Sequence, residues 1–261
     1  YLNSRTYSNV MIATFFFQGK QHVFDLSKPF DISIPLAEGV DVVNAFYAPY
    51  LLIEPVRAGN FVGDVRQGGA VNFKNVTFNP HGNGTHTECV GHISPNGETL
   101  NQELRSFFFV ASLISIYPQL MPNGDRVITK QQMEEALWGI QTQALIIRTL
   151  PNDSHKLNRN YSGTNPPYLH HEAAQLIAER EIDHLLIDLP SVDREEDGGQ
   201  LLAHKAYWQY PEKPRTGATI TELIYVPDTL KDGVYLLNLM ITSLELDASP
   251  SKPVLYGIEK G

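Results

Sequence analysis

The densest group of metal-binding side chains in the sequence lies in the segment His81-Gly-Asn-Gly-Thr-His-Thr-Glu-Cys-Val-Gly-His92. Imidazole and carboxylate groups are the ligands that suit Zn²⁺ and related first-row ions. Residues two apart in an extended strand project from the same face, so His86 and Glu88 would project together. His92 would join them if the extended backbone continued. The segment therefore predicts half of a divalent-metal site.

The same segment also permits a purely structural interpretation. Gly82-Asn83-Gly84 is a favourable hairpin turn, and a histidine or glutamate beside a turn is usually just solvated. Cys89 has the opposite parity to His86 and Glu88, which favours a small buried residue over a nucleophile. A cysteine hydrolase would also need a positioned base and an oxyanion hole. Spacing alone leaves the metal site and the solvated turn both open.

A complete metal site needs further ligands from distant parts of the chain, because a site holds three or four. His204 is a candidate because the chain has only nine histidines. Glu222 is another, since it lies in the apolar run 219–226, where an unpaired carboxylate would be costly to bury. From its sequence context, Glu222 could equally be a salt-bridged or edge-strand residue.

Composition narrows the classes of protein that the chain can represent. Its 261 residues are long enough for a sizeable core, and we predict a single domain over residues 1–261. A formal net charge of −9, with no cluster of Lys and Arg, disfavours a nucleic-acid or anionic-membrane partner. The single cysteine excludes an intramolecular disulfide and is compatible with a cytoplasmic location. No apolar run is long enough to span a bilayer.

The elements that must position the ligands are mostly short strands. Apolar or alternating segments predict strands at 10–17, 50–55, 73–78, 144–148, 184–188, 234–239 and 253–256. Helices are predicted at 129–138, with Thr129 as a possible N-cap, at 171–180 and at 201–208. Strands outnumber helices, so we predict an α/β domain with a mixed β-sheet. The turn-rich stretch 150–167 is expected to be an ordered surface loop or a lid.

Several motifs, in the same order along the chain, resemble the cyclase-like metal-dependent hydrolases, the family that contains bacterial kynurenine formamidase (arylformamidase). Its signature reads His-x-Gly-Thr-His-x-Asp-x-Pro-x-His. Gly84-Thr85-His86 matches the centre and His92 the last position, while Glu88 and Val90 replace the Asp and the Pro. Segments 24–29, 63–64, 144–149 and 187–193 are similar to other segments of the family. His204 and Glu222 then match its later ligands.

The resemblance implies a compact α/β fold of the swivelling β/β/α type, assembled as a homo-oligomer, either a dimer or a tetramer. It also implies a divalent metal, Zn²⁺ or alternatively Mn²⁺, that activates water for attack on the carbonyl carbon of a small-molecule amide. The expected class is a hydrolase of C–N bonds other than peptide bonds, as in tryptophan catabolism, where N-formylkynurenine is the best-known substrate. His92 would carry the proton as the catalytic residue. The implied metal ligands are His86, Glu88, His204 and Glu222, with His81 as a possible fifth.

One departure from the family signature concerns its first histidine, which falls on Gly82. His81 lies one residue earlier, and in a regular strand its side chain would project from the opposite face. A bulge or turn at this point could redirect His81 into the site. Two other hypotheses therefore stay open: hydrolysis of a cyclic imide, lactone or isatin-type ring at the same metal, and a catalytically degenerate metal- or ligand-binding protein.

A small-molecule substrate could be bound by aromatic side chains, although most aromatic residues are expected in the core. The candidates from the sequence are Phe107–Phe109, Tyr161, Tyr168, Tyr207 and Trp208.

Overall fold

Short strands dominate the protein, whose structure is a computed structural model that describes residues 10–258. The strands are β1 (Ile12–Phe17), β2 (Lys20–Asp25), β3 (Phe30–Asp31), β4 (Leu52–Pro55), β5 (Arg57–Ala58), β6 (Phe61–Val62), β7 (Lys74–Thr77), β8 (His86–Glu88), β9 (Phe108–Ile116), β10 (Gln119–Leu120), β11 (Arg126–Ile128), β12 (Ala144–Thr149), β13 (Tyr168–Leu169), β14 (His184–Ile187), β15 (Thr219–Glu222), β16 (Gly233–Ile241) and β17 (Ala248–Gly257). The α-helices are α1 (Leu100–Glu103), α2 (Lys130–Ala136), α3 (His171–Glu179) and α4 (Leu202–Trp208). Single 3₁₀ turns occupy Val65–Gln67, Val90–His92 and Ser154–Leu157.

Seven of the strands close into a barrel in the order β16, β9, β12, β14, β15, β8 and β17, and β17 pairs back with β16. The neighbours from β9 to β15 are parallel, and the remaining pairs are antiparallel. Small sheets of two or three strands, including β4–β7 and β5–β6, lie outside the barrel. The mixed sheet confirms the predicted α/β class. The prediction of one domain over 1–261 also covers residues outside the described range and stays a prediction.

The barrel wall separates two apolar layers, because alternate residues of a strand project from opposite faces. In β12, Leu145 and Ile147 pack outward in the cluster that also contains residues of α2, α3 and α4. Ala144 and Ile146 belong to the other cluster, with Leu113 and side chains from most of the remaining barrel strands. This second cluster fills the barrel interior. The helices therefore form an outer layer, and the predicted ligands on β8 and β15 face that layer.

The clearest sequence patterns correspond to observed elements. The predicted helix 171–180 is α3, and β14 follows it in parallel with β12, as expected of an α-then-β unit. Thr129 caps α2: its hydroxyl accepts from the backbone N–H of Gln132 at 3.3 Å, and the Gln132 side chain accepts from the backbone N–H of Thr129 at 3.1 Å. The sequence analysis missed β9, a central barrel strand, because serines interrupt its apolar run.

The structure excludes one of the alternatives that the sequence left open for Glu222. β15 is not an edge strand, since it pairs with β14 on one side and β8 on the other, so Glu222 lies inside the sheet. The stretch 150–167 is mostly exposed or half-buried, as expected of a surface loop, although it also contains buried residues. Within it, Lys156 and Tyr161 are buried, with only 4% and 3% of their surface exposed. No helix in residues 10–258 is long and apolar enough to cross a membrane.

Candidate metal centre

Strand register brings the first predicted ligands together. In the antiparallel ladder of β8 and β15, His86 lies opposite Glu222 and Glu88 lies opposite Ile220. Directly opposed residues project from the same face, so the side chains of His86, Glu88 and Glu222 all point towards the helical layer. All are buried, and His86 Nε2 lies 3.5 Å from Glu222 Oε2. Cys89 projects the other way and lies in the interior cluster, as its parity predicts.

Helix α4 brings His204 to the same place. Its Nε2 lies 3.0 Å from Glu88 Oε1 and 4.0 Å from Glu222 Oε1. Its Nδ1 lies 2.6 Å from Asp193 Oδ2, and the two carboxylate oxygens of Asp193 also accept from the backbone N–H groups of Ala203 and His204. Burial alone would lower the pKa of His204, but Asp193 and Glu88 outweigh it and raise that pKa well above its usual value. Asp193 thus holds both the start of α4 and the imidazole ring.

A turn directs His81 into the cluster. Asn79 Oδ1 accepts from the backbone N–H groups of His81 and Gly82 at 2.9 and 3.0 Å. Asn83 Oδ1 accepts in return from the backbone N–H of Asn79 at 2.7 Å. With the turn held in this way, His81 Nδ1 lies 3.1 Å from Glu88 Oε2. The structure therefore contains the redirecting turn that the sequence left open, and the role of His81 as a ligand stays a prediction.

Gly82 stands at a position where a side chain does not fit. A Cβ atom built there would lie 2.4 Å from the Cβ of Ala48 and 2.9 Å from the carbonyl oxygen of Ala45. The backbone N–H of Ala45 donates to the Gly82 carbonyl at 2.9 Å, so the turn 45–48 packs directly on this glycine. The space beside position 82 is therefore occupied, and the histidine of this chain enters from the neighbouring position.

His92 and Asp247 complete the cluster. His92 Nδ1 lies 3.8 Å from Glu88 Oε2 and 3.3 Å from Asp247 Oδ2, and the same Asp247 oxygen lies 3.0 Å from His81 Nε2. The sequence analysis did not identify Asp247 or Asp193 as site residues. Asp193 lay in a segment matched to the family, which was a usable signal. Asp247 directly precedes β17, and no spacing pattern connects it with the segment 81–92.

The chemistry of the cluster fits a divalent metal, because it contains buried atoms with lone pairs that no hydrogen bond uses. Four buried side-chain atoms among the described residues lack a hydrogen-bond partner, and two of them, His86 Nε2 and Glu88 Oε2, lie in this cluster. The His81 Nδ1 atom is near Glu88 Oε2 at 3.1 Å, but without the angles of a hydrogen bond. His86 Nδ1 lies 3.0 Å from the carbonyl of Gly84, so it carries the proton and Nε2 presents a lone pair. Such atoms are costly to bury unless a ligand pairs with them.

The candidate ligand atoms fall into two groups that share Glu88. One group consists of His81, Glu88 and His92, the other of His86, Glu88 and Glu222, and within each group the atoms lie within 4.8 Å of one another. The predicted ligand His204 belongs to neither group and instead contacts the Glu88 carboxylate. Burial alone would lower the pKa of His81, but its contacts with Asp247 and Glu88 raise it to about 10. The carboxylates thus attract positive charge, which a divalent ion would supply while displacing protons.

The cluster lines a cavity of about 500 Å³. Phe46 and Tyr47 line the same cavity, are exposed, and have positive φ angles of 57° and 53°, which are uncommon for bulky side chains. The aromatic residues selected from the sequence do not line it: Tyr207 and Trp208, for example, are core residues. A larger cavity of about 610 Å³ lies beside β1, β2 and α2, but it contains none of the candidate ligands and therefore does not define the site.

Comparisons with known proteins agree with this geometry. Residues 24–194 match the family model described as "Putative cyclase". The kynurenine formamidase of Bacillus cytotoxicus is 27% identical over 191 residues, which cover 72% of this chain and 82% of that protein. His204 and Glu222 lie beyond the residues that the family model matches, and the structure brings them to the cluster independently of that match.

Solved structures show the same fold. A protein described as a potential metal-dependent hydrolase with cyclase activity superposes with a TM-score of 0.63 at 18% identity, over 89% of this chain and 99% of that one. Isatin hydrolase A from Ralstonia solanacearum gives a TM-score of 0.63 at 16% identity, over 88% of this chain and 91% of that one. Because both identities are low, these similarities show a shared fold and nothing about function.

Proposed function

The chain belongs to the cyclase family, and from that membership we propose that it is a divalent-metal-dependent hydrolase of a small-molecule amide, with aryl formamides as the preferred class. The observation that carries the proposal is the pair of buried, unpartnered atoms His86 Nε2 and Glu88 Oε2. The kynurenine formamidase relative supports a C–N bond as the target. Imidazole and carboxylate donors favour Zn²⁺, with Mn²⁺ as the alternative.

In this proposal, different residues of the cluster hold the metal and orient its ligands. When bound, a divalent cation supplies Lewis acidity, which acidifies water and polarises a carbonyl group. His86, Glu88 and Glu222 would hold it, with His81 at the second oxygen of Glu88 and with His204 hydrogen-bonded to the first. His204 would also keep the Glu88 carboxylate oriented, because a ligand's hydrogen-bond partners fix its geometry.

His92 is the residue that we assign to proton transfer. Its side chain is 28% exposed, whereas the side chains of His86 and His204 are almost fully buried, and it lines the cavity where a substrate would lie. A histidine in that position can accept a proton from the attacking water and return it to the departing amine. The same side chain would therefore act first as base and then as acid.

Phe46 and Tyr47 support an aromatic substrate, because their rings offer apolar surface beside the cluster in a cavity of small-molecule size. A flat ring of the isatin type would suit the same surface. Ring-opening hydrolysis of such a ring, a cyclic imide or a lactone is therefore the second candidate, and the fold shared with isatin hydrolase A favours it. The entry of His81 into the cluster supports a functional site over a degenerate binding protein.

A homo-oligomer, dimer or tetramer, is a further proposal. The segment from β4 to β7 lies outside the barrel and exposes several large apolar side chains that association would cover. These side chains are Leu52, Val65, Val71, Phe73 and Val76. Light scattering at several protein concentrations tests this directly. A cytoplasmic location, based on the single cysteine, stays a prediction.

The proposed function is tested by measuring metal content and hydrolysis together. Elemental analysis of the protein, before and after reconstitution with Zn²⁺ or Mn²⁺, is followed by assays with N-formylkynurenine, simple aryl formamides and isatin. His86→Ala and Glu222→Ala should both lower metal content, whereas His155→Ala, an exposed control, should not. A protein that binds no ion after reconstitution would overturn the proposal. A loaded protein that hydrolyses none of these substrates would favour the binding-protein alternative.

A further inference from the structure

We propose that Asp247 is a positioning residue that gives two neighbouring histidines different roles, making His81 a metal ligand through Nδ1 and His92 a proton carrier through Nε2. The proposal rests on the proposed function, because it concerns how the same cluster is organised. It adds a residue that directly precedes β17, far in sequence from the segment 81–92, and it divides roles within the group of His81, Glu88 and His92.

A single oxygen atom of Asp247 contacts both rings. Its Oδ2 lies 3.0 Å from His81 Nε2 and 3.3 Å from His92 Nδ1. The backbone carbonyl of Asp247 accepts from the N–H of Cys89 at 3.0 Å, and the next residue, Ala248, lies opposite Glu88 in the ladder of β17 and β8. The carboxylate is therefore held in register with the strand that carries the shared ligand.

His81 needs such a partner because it comes from a turn and not from a strand. The turn fixes its backbone through Asn79, but strand geometry does not orient its ring. When His81 Nε2–H donates to Asp247, the lone pair of the neutral ring lies on Nδ1. That atom is the one 3.1 Å from Glu88 Oε2, the unpartnered carboxylate oxygen. Carboxylates that accept from the far nitrogen of a metal-binding histidine are a recurring arrangement, since they fix the tautomer and the ring orientation.

The same oxygen of Asp247 contacts the other nitrogen of His92, Nδ1, and so favours the opposite tautomer of that ring. The atom that it turns towards Asp247 is Nδ1, which is also the atom 3.8 Å from Glu88 Oε2. Once Nδ1–H donates to Asp247, it carries a proton and has no lone pair for an ion. The free nitrogen is then Nε2, and His92 is available for proton transfer. One carboxylate thus separates a ligand from a proton carrier in two histidines whose ring centroids are 4.4 Å apart.

The test uses Asp247→Ala, with Asp247→Asn as the near-isosteric variant that keeps the proposal testable if the alanine protein does not fold. Metal affinity is measured by competition with a chromophoric chelator for Zn²⁺, and kcat and KM are measured separately. We expect Asp247→Ala to weaken the binding of one ion by about 10- to 100-fold, the usual cost of losing such a partner. We also expect kcat to fall by about 100-fold, with KM little changed, because proton transfer is impaired.

Double-mutant cycles distinguish positioning from a general structural effect. In a His81→Ala background, Asp247→Ala should cause no further loss of Zn²⁺ affinity, and in a His92→Ala background it should cause no further loss of kcat. Asp193→Ala is the matched control, because its carboxylate contacts His204 instead, so its effect should persist in the His81→Ala background. Thermal melting reports whether each variant folds.

The proposal is overturned if Asp247→Ala leaves both affinity and kcat within about twofold of the parent, or if its losses persist in full in both backgrounds. These outcomes differ from failure of the proposed function, in which the parent protein itself binds no ion after reconstitution. A parent that binds Zn²⁺ but hydrolyses none of the substrates still allows the affinity cycle, which then decides for or against Asp247 alone.

Discussion

Two buried clusters of ionisable side chains lie at the ends of neighbouring barrel strands. They differ in whether a cationic side chain of the protein pairs with the buried carboxylate. In the candidate metal centre on β8 and β15, His86 Nε2 and Glu88 Oε2 have no hydrogen-bond partner among the described residues. At the ends of β12 and β14, Lys156 and Asp188 form an ion pair of 2.7 Å. Lys156 Nζ also donates to the carbonyl of Thr149 at 2.7 Å, and Asp188 also accepts from the backbone N–H and hydroxyl of Thr149.

The difference shows that burial of charged groups does not by itself indicate function. Both clusters contain a fully buried carboxylate, and each such group is costly to remove from water. Asp188 is compensated by an ammonium group of the same chain. Glu88 is surrounded by histidines and other carboxylates, so its compensation has to come from a cation or from protons. The two clusters therefore differ in whether a Lys or Arg side chain of the chain itself compensates the buried carboxylate.

The largest expected effect follows from removing the shared ligand. Glu88→Ala should abolish stoichiometric metal binding and lower kcat/KM by about 10³-fold or more, since Lewis acidity contributes several kcal/mol to such reactions. Zn²⁺ should raise the melting temperature of the parent but not of the variant, because only the parent binds it. Elemental analysis, kinetics and melting curves check these outcomes. Full metal content in Glu88→Ala would show that the two clusters do not differ as described.

Removing the cation from the other cluster should affect stability instead. Lys156→Met leaves Asp188 buried without its ion-pair partner, and we expect the free energy of unfolding to fall by about 3–5 kcal/mol. The double variant Lys156→Met/Asp188→Asn should recover part of that loss, because the uncompensated charge is gone. Urea denaturation measures the change, with the exposed Lys130→Met as control. A loss of metal content in a folded Lys156→Met protein would contradict the separation of the two clusters.

A buried histidine without a metal role gives a smaller, pH-dependent effect. His184 begins β14, and its Nδ1 lies 2.9 Å from the hydroxyl of Thr219. Burial lowers the pKa of His184 from 6.5 to about 4, so between these values the unfolded chain binds a proton that the folded chain does not. This contribution to stability is complete above pH 6.5 and is lost as the pH falls towards 4, by about 3 kcal/mol.

Denaturation curves from pH 7 to pH 4 test this expectation. His184→Gln should flatten the pH dependence of the unfolding free energy, whereas the exposed His155→Gln should leave it unchanged. An unaltered slope in His184→Gln would mean that the buried ring is not the group responsible.

The smallest effect belongs to a residue outside both clusters. Thr129→Ala removes the N-cap of α2 and should lower the free energy of unfolding by about 1 kcal/mol. Metal content and kcat/KM should stay at parental values. Thr129→Ser keeps the hydroxyl and is the matched control. A change in metal binding in Thr129→Ala would indicate that loss of stability alone disturbs the site, and the effects of the larger variants on metal content would then include that contribution.

Local spacing predicted the part of the site that depends on local geometry. The spacing of His86 and Glu88 predicted that both project from one face of a strand, and in the structure both lie in β8 and face the same side. The position of Glu222 depends on the pairing of β15 with β8, a contact between residues more than a hundred positions apart that periodicity cannot show. Asp247 also reaches the site through strand pairing, that of β17 with β8. Hydropathy predicts a strand only from residue 253, so the sequence did not connect Asp247 with the site.

The fold shows the same division between local and distant information. The helix α3 and the strand β14 have strong patterns of their own and were predicted, whereas β9 owes its place to its neighbours on both sides. The direction of the His81 side chain was left open because it depends on Gly82, whose surroundings come from the turn 45–48. Tertiary packing therefore sets the direction of the His81 side chain, which the sequence could not.

The packing of Ala45 and Ala48 on Gly82 makes the two turns a single exchangeable module for protein engineering. The turn that brings His81 to Glu88 and the turn that carries Phe46 and Tyr47 share one interface, where a Cβ atom would lie 2.4 Å from a methyl group. A histidine placed at position 82 would therefore displace the turn that carries these aromatic residues. A redesign of either turn would have to include the other.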